Sequence, residues 1–233
     1  MKPAQPSLKK SLTRARGVVF DIDGVLLDSL TSGSKLFCQA AAAFGLPTDK
    51  TVQTTFRQLW GIAALELIPA CFPGQTFDVA AFYQRWQQYD QETPHPLLPG
   101  VNAVLPALVA KGKVLSLFSN REESTARSQL TKHGIIKYFS HAIFLAHNNY
   151  PKPHPYSICR LFTEYLIHQE IQSNQLLYCG DSVETDLPVA NAHGITFVAV
   201  LGGRHTRTDF LAAGVPNSHI VENLGELLPH LKA

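Results

Sequence analysis

Val18-Val19-Phe20-Asp21-Ile22-Asp23-Gly24-Val25-Leu26-Leu27-Asp28-Ser29 is an apolar run that breaks into two carboxylates and a glycine. Val18, Val19 and Phe20 are β-branched or aromatic and follow Gly17, the pattern of a short strand buried on both faces. The acids then fall at its carboxyl end, the edge of an open α/β sheet where ligands bind, and Gly24 lets the backbone turn sharply just beyond them.

Downstream of Ser29 the period changes to that of helices. Leu36, Phe37, Ala40, Ala41 and Phe44 mark one. Phe56, Leu59, Trp60, Ala63, Ala64, Leu67 and Ile68, before Pro69, mark a second, and Phe77, Ala81, Phe82, Arg85, Trp86 and Tyr89 a third. Residues 32–93 therefore read as a helical insertion, with Thr93-Pro94-His95-Pro96-Leu97-Leu98-Pro99-Gly100 as its return hinge. From Gly100 helices alternate with apolar strands at Val114–Phe118, Ala142–Leu145, Leu176–Cys179 and Thr196–Val200. A short edge strand follows near Ile220-Val221, then a last helix carrying Leu224, Leu227, Leu228 and Leu231. This alternation predicts an α/β core, 17–31 with 94–233, built on a parallel sheet covered on both faces.

Composition excludes several alternatives. A chain of 233 residues with 45% hydrophobic residues can bury a full core. No apolar run reaches the ~20 residues of a membrane-spanning helix. The first 16 residues hold five of the 20 basic groups and none of the 18 acidic ones, which leaves a mildly acidic body with 15 against 18. Such a body lacks the basic face that nucleic acid requires. Residues 1–16 read as a disordered basic tail, with a transit peptide as the other reading. Cys38, Cys71, Cys159 and Cys179 have no metal-ligand spacing and fit reduced thiols in a cytoplasmic protein.

Four strand ends carry polar groups. Asp21 and Asp23 follow the first strand; Ser119 and Asn120 the second; Lys152, in Tyr150-Pro151-Lys152-Pro153-His154-Pro155, the third; and Gly180-Asp181-Ser182-Val183-Glu184-Thr185-Asp186 the fourth. Asp21, Asp23, Asp181 and Asp186 in one crevice repel one another unless a cation intervenes, and Mg²⁺ with its hard oxygen ligands suits them. Lys152 adds positive charge. Ser119, Asn120 and backbone amides offer hydrogen bonds to phosphate oxygens.

Taken together, these segments resemble, in order, the four motifs of the haloacid dehalogenase-like hydrolase superfamily, and most closely its phosphoglycolate phosphatase-like branch. Leu211-Ala212-Ala213-Gly214 adds to the likeness. The resemblance implies a Rossmann-like, doubly wound sheet. Its first strand is central, the second and third lie on one side, and the fourth and fifth on the other. The helical insertion stands where that superfamily carries a cap.

By the same resemblance, Asp21 is the nucleophile, and Asp23 is the acid and base. Asp181 binds metal with Asp21 and the backbone carbonyl of Asp23, while Asp186 orients metal-bound water or Lys152. Glu184 competes with Asp186 for that support. The implied activity is Mg²⁺-dependent hydrolysis of a small phosphomonoester through an aspartyl-phosphate, by a monomer or homodimer. A sugar phosphomutase and a catalytically silent regulatory protein are the alternatives. Lys35 and Arg57 in the insertion read as surface charges before substrate contacts. Trp60 and Trp86 read as core, and His147, His154 and Asn148-Asn149 as neighbours of the site's mouth.

Overall fold

A computed structural model describes residues 6–145 and 150–231, with the backbone alone at 166–169. The chain divides into two compact units, residues 1–27 with 97–233 and residues 28–96.

The first unit is built on six parallel strands: β1 (Gly17–Phe20), β2 (Val114–Phe118), β3 (His141–Ile143), β4 (Leu176–Gly180), β5 (Thr196–Val200) and β6 (Ile220–Val221), in the order β3-β2-β1-β4-β5-β6. The predicted doubly wound α/β sheet is present, and the order reverses direction at β1. There Gly17 aligns with Val114 on one side and Leu176 on the other. Every residue of β1 is buried because helices cover both faces of the sheet. Val18 and Phe20 join one apolar cluster with Leu115, Leu117 and Leu177, whereas Val19 points into another with Phe118, Tyr165 and Tyr178.

The second unit is four helices, α2 (Ser29–Ala43), α3 (Lys50–Gln58), α4 (Ala64–Cys71) and α5 (Val79–Glu92). Asp28, Asp49 and Asp78 cap three of them by accepting from backbone N–H groups of the first turn. Phe37 lies at the centre, with the rings of Phe56, Phe72, Phe82 and Trp86 between 4.7 and 5.6 Å away. Trp60 and Trp86 pack against this core, as expected, and Lys35 and Arg57 are exposed.

Five expectations are corrected. The predicted second helix is two, α3 and α4, because the chain turns through Gly61 at φ +100°, a conformation that breaks a helix; Pro69 then lies inside α4. The third strand ends at Ile143, short of Leu145, and the C-terminal helix is a 3₁₀ turn, Leu224–Leu227, followed by a single helical turn, Leu228–Leu231. The helical unit runs from Asp28 to Pro96, wider than 32–93, because the Asp28 N–H donates to Pro96 O at 2.8 Å and joins the two linkers.

The fifth concerns the basic segment, which is not a tail throughout. Residues Leu8–Arg14 form helix α1, capped by Ser7, with Leu8 and Leu12 buried in the first core cluster and the Ser11 hydroxyl 3.1 Å from His219 Nε2. Two leucines one turn apart suffice for an apolar stripe, and the lysines lie on the solvent side.

Candidate active site

The sheet delivers its polar groups to one edge because parallel strands end together. Past Phe20, the loop of Asp21 to Leu27 is held by Leu26 and Leu27 N–H groups donating to Ile22 O, at 2.9 and 3.0 Å, and by Gly24 N–H donating to Leu27 O at 2.9 Å. Gly24 sits at φ +74°, and a methyl group there would stand 2.2 Å from Asp181 Oδ2, so only glycine lets this loop and that carboxylate coexist.

Lys152 is the hub. Its ammonium lies 3.0 Å from Asp21 Oδ1 and 2.6 Å from Asp186 Oδ1, and it donates to the Tyr178 hydroxyl at 3.2 Å and Phe118 O at 3.3 Å. Asn120 braces it from the backbone: its Oδ1 accepts from Lys152 N–H and its Nδ2 donates to Lys152 O, both at 2.9 Å. That is a different task from the phosphate contact expected of Asn120. Ser119 is buried; its hydroxyl accepts from Arg121 N–H at 3.2 Å and has no acceptor of its own among the described residues, so its proton remains to be given.

Asp186 is fully buried and fully engaged. Oδ1 accepts from Lys152 and Tyr178, the latter at 2.6 Å, while Oδ2 accepts from the N–H groups of Asp181 and Ser182, each at 3.1 Å. Of its expected roles, this geometry fits the orientation of Lys152. Glu184 has other neighbours: its Oε2 pairs with Arg204 at 2.9 Å and lies 2.5 Å from His205 Nε2.

Oxygens of Asp21, Asp181 and Asp186 lie within 4.8 Å of one another. Burial, the largest cause, pushes the Asp21 carboxyl up to about 7; Lys152 opposes this, and Asp186 and Asp23 add to it. The Asp181 carboxyl is held well above its ordinary range, again chiefly by burial and then by Asp186 and Asp21. For Lys152, burial alone favours the neutral amine, but Asp186 and Asp21 outweigh it and raise its value. Asp21 Oδ1 is buried without a hydrogen bond, its close neighbour being the Lys152 charge. An all-oxygen set with an unsatisfied carboxylate and mutual repulsion fits a hard divalent cation.

Three further contributors belong to the site. Arg121 pairs with Asp23 Oδ1 at 2.5 Å. The residue follows Ser119-Asn120 directly, so its proximity to the strand end was readable. Tyr178 lies within the apolar run of β4, where its local pattern does not set it apart, yet its hydroxyl meets Lys152 and Asp186. Gly202-Gly203, at the end of β5, approach so closely that methyl groups would stand 2.2 Å from Gly24 O and 1.7 Å from Asp181 Oδ2 respectively. Consecutive glycines after a buried strand signal such an approach. With Arg121 and Lys152 set against four carboxylates, two negative charges remain when all are ionised, the charge of one divalent ion. His154 accepts from Tyr156 N–H at 3.2 Å and stacks on Tyr150, while His147 and Asn148-Asn149 lie outside the described residues.

Known proteins resemble this chain in sequence and in fold. Phosphoglycolate phosphatase of Yersinia pseudotuberculosis is 28% identical over 222 residues, 92% of each chain. Among solved structures, a predicted phosphoglycolate phosphatase from Haemophilus somnus superposes with a TM-score of 0.78 at 22% identity, over 94% of this chain and 99% of that one. One provisionally described as a beta-phosphoglucomutase, from Thermotoga maritima, gives 0.74 at 21% identity, over 93% and 98%. The sequence profile of the haloacid dehalogenase-like hydrolases matches residues 18–200, and the chain belongs to that family, as one of its phosphatases.

Proposed function

We propose that this phosphatase hydrolyses a small phosphorylated metabolite with the help of Mg²⁺, through a phosphoryl group held briefly on Asp21. The observation that carries the reading is the buried Lys152 ammonium set between Asp21 and Asp186, beside the unsatisfied Asp21 oxygen. Asp21, Asp181 and the Asp23 backbone would hold the metal, which supplies positive charge to the phosphate oxygens and offsets the repulsion among the acids.

Each half of the reaction then balances on the chain's own groups. A carboxylate oxygen of Asp21 forms a bond to phosphorus as the ester P–O bond breaks, and Asp23 gives its proton to the departing oxygen. Asp23, now a carboxylate, takes a proton from water as that water bonds to phosphorus; the Asp21–phosphorus bond breaks, and inorganic phosphate leaves. Lys152 and the Ser119 hydroxyl face the charge spread over the transferring oxygens, where most of the stabilisation in phosphoryl transfer resides. The helical unit, residues 28–96, would act as the cap that reads the alcohol.

The test is release of phosphate from p-nitrophenyl phosphate and then from a panel of phosphorylated metabolites that includes 2-phosphoglycolate, with Mg²⁺ and in excess chelator. Turnover is expected with the metal alone, and Asp21→Asn is expected to abolish it, because an amide neither attacks phosphorus nor carries the charge. Full activity in chelator, or in Asp21→Asn, would sink the proposal.

A further inference from the structure

Arg121 takes no part in the chemistry above, yet its guanidinium lies against Asp23, NH1 to Oδ1 at 2.5 Å, with the Arg121 side chain 9% and the Asp23 side chain 21% exposed. An exposed pair of this kind contributes little, but a nearly buried arginine is held in one geometry and gives its partner one as well. Both backbone groups of Arg121 are also pinned: its N–H donates to Ser119 Oγ at 3.2 Å, and its carbonyl accepts from Leu145 N–H at 3.2 Å, just past β3. The backbone around Asp23 is equally fixed by the Ile22 and Leu27 hydrogen bonds and by the bridge between Asp23 and Leu27. What remains free at Asp23 is the rotation of its own side chain, and Arg121 occupies one of the two oxygens that would report it.

We infer that Arg121 is a positioning residue: it holds Oδ1 of Asp23 so that the other oxygen is the one that passes the proton to the departing alcohol and later takes one from water. The inference rests on the acid–base reading of Asp23. The guanidinium stays put while the proton leaves, so it also faces the negative charge that develops on Asp23 as the ester bond breaks. Its effect should therefore scale with how much the leaving group needs a proton. An aliphatic alkoxide needs one badly, and p-nitrophenolate hardly at all.

The experiment compares kcat/KM for p-nitrophenyl, phenyl and benzyl phosphate, with Mg²⁺, in the wild type, Arg121→Gln, Arg121→Lys, Asp23→Asn and the Arg121→Gln/Asp23→Asn double variant; melting temperatures and Mg²⁺ binding are measured alongside. In Arg121→Gln the benzyl to p-nitrophenyl ratio is expected to fall about tenfold or more, a share of the whole general-acid effect. Arg121→Lys should recover part of that loss. In the Asp23→Asn background the arginine change should add almost nothing, since its target is gone.

An equal loss on all three esters, a change in KM alone, or a loss that multiplies with that of Asp23→Asn would overturn the inference. Should Arg121→Gln fail to fold, the ratio in Arg121→Lys decides by the same criterion. If Asp23→Asn itself shows no dependence on the leaving group, the acid–base reading of Asp23 falls and takes this inference with it. If Asp23→Asn is sensitive and Arg121→Gln is not, the inference alone falls.

Discussion

At Gly203 the space a methyl group would take is already held by Asp181, whose Oδ2 would stand 1.7 Å from the new carbon. Gly203 is not in the left-handed region, so alanine there strains no backbone; what must give is the carboxylate. Gly203→Ala is therefore expected to move Asp181 while leaving the fold in place. Mg²⁺ affinity should drop about tenfold or more if Asp181 is a ligand, with less than about 1 kcal/mol lost from metal-free stability. Calorimetric titration with Mg²⁺ alone and a urea melt separate the two, and an unchanged affinity would remove Asp181 from the metal set. The same residues show what was legible at this scale. Asp21, Asp23, Lys152, Asp181 and Asp186 announce themselves because buried acids and a lysine at strand ends have few bland explanations. The assignments within the site were less legible: Asn120 serves Lys152, and Glu184 pairs with Arg204 and His205, because hydrogen-bond partners across loops leave no trace in local sequence.

Among the elements, the strands were read nearly to the residue, since apolar runs between turn signals have little freedom to be anything else; β2 and β5 run over the predicted residues. Helix α1 leaves no clear signal in the sequence because seven residues offer less than two turns of periodicity, and its stability comes from tertiary contacts that the pattern does not carry. Leu12 is 1% exposed, so Leu12→Ala is expected to cost about 2–5 kcal/mol, and removal of residues 1–15 should lower the melting temperature by several degrees. A truncated chain that melts like the whole one would show that α1 contributes nothing.

His219, beside Ser11 and Ser218, ties α1 to pH. Burial lowers its value below the ordinary 6.5, so the fold prefers the neutral ring. The unfolded chain then binds the proton more readily; the contribution is complete above about 6.5 and is lost as pH falls through 6.5 toward the folded value. Urea midpoints at pH 8, 7, 6 and 5 should fall more steeply on acidification in the wild type than in His219→Gln, a comparison in which the acids of the site cancel. Parallel curves would refute it.

For the whole molecule, the phosphatase is to be set against the sugar phosphomutase that shares this fold. A mutase must keep water from the phosphoryl-aspartate until a sugar hydroxyl arrives, and in the mutases this chain resembles a cap histidine five residues after the aspartate at the end of motif one helps hold the base back. Counted from Asp28, that position is Gly33. It lies buried on α2, where even a methyl group would meet the Trp60 ring at 3.3 Å, so the place is filled from behind by an indole and a histidine would require Trp60 to move. Under the proposed mechanism a base without that restraint activates water, which at about 55 M outcompetes any sugar hydroxyl that is not held in place. The enzyme, incubated with β-glucose 1-phosphate, Mg²⁺ and a trace of the 1,6-bisphosphate, is expected to release inorganic phosphate faster than it forms glucose 6-phosphate. Both products can be followed in one reaction by phosphate assay and by coupling to a dehydrogenase. Glucose 6-phosphate accumulating ahead of phosphate would mean that another group restrains Asp23, and that the chain transfers the phosphoryl group to sugar in preference to water.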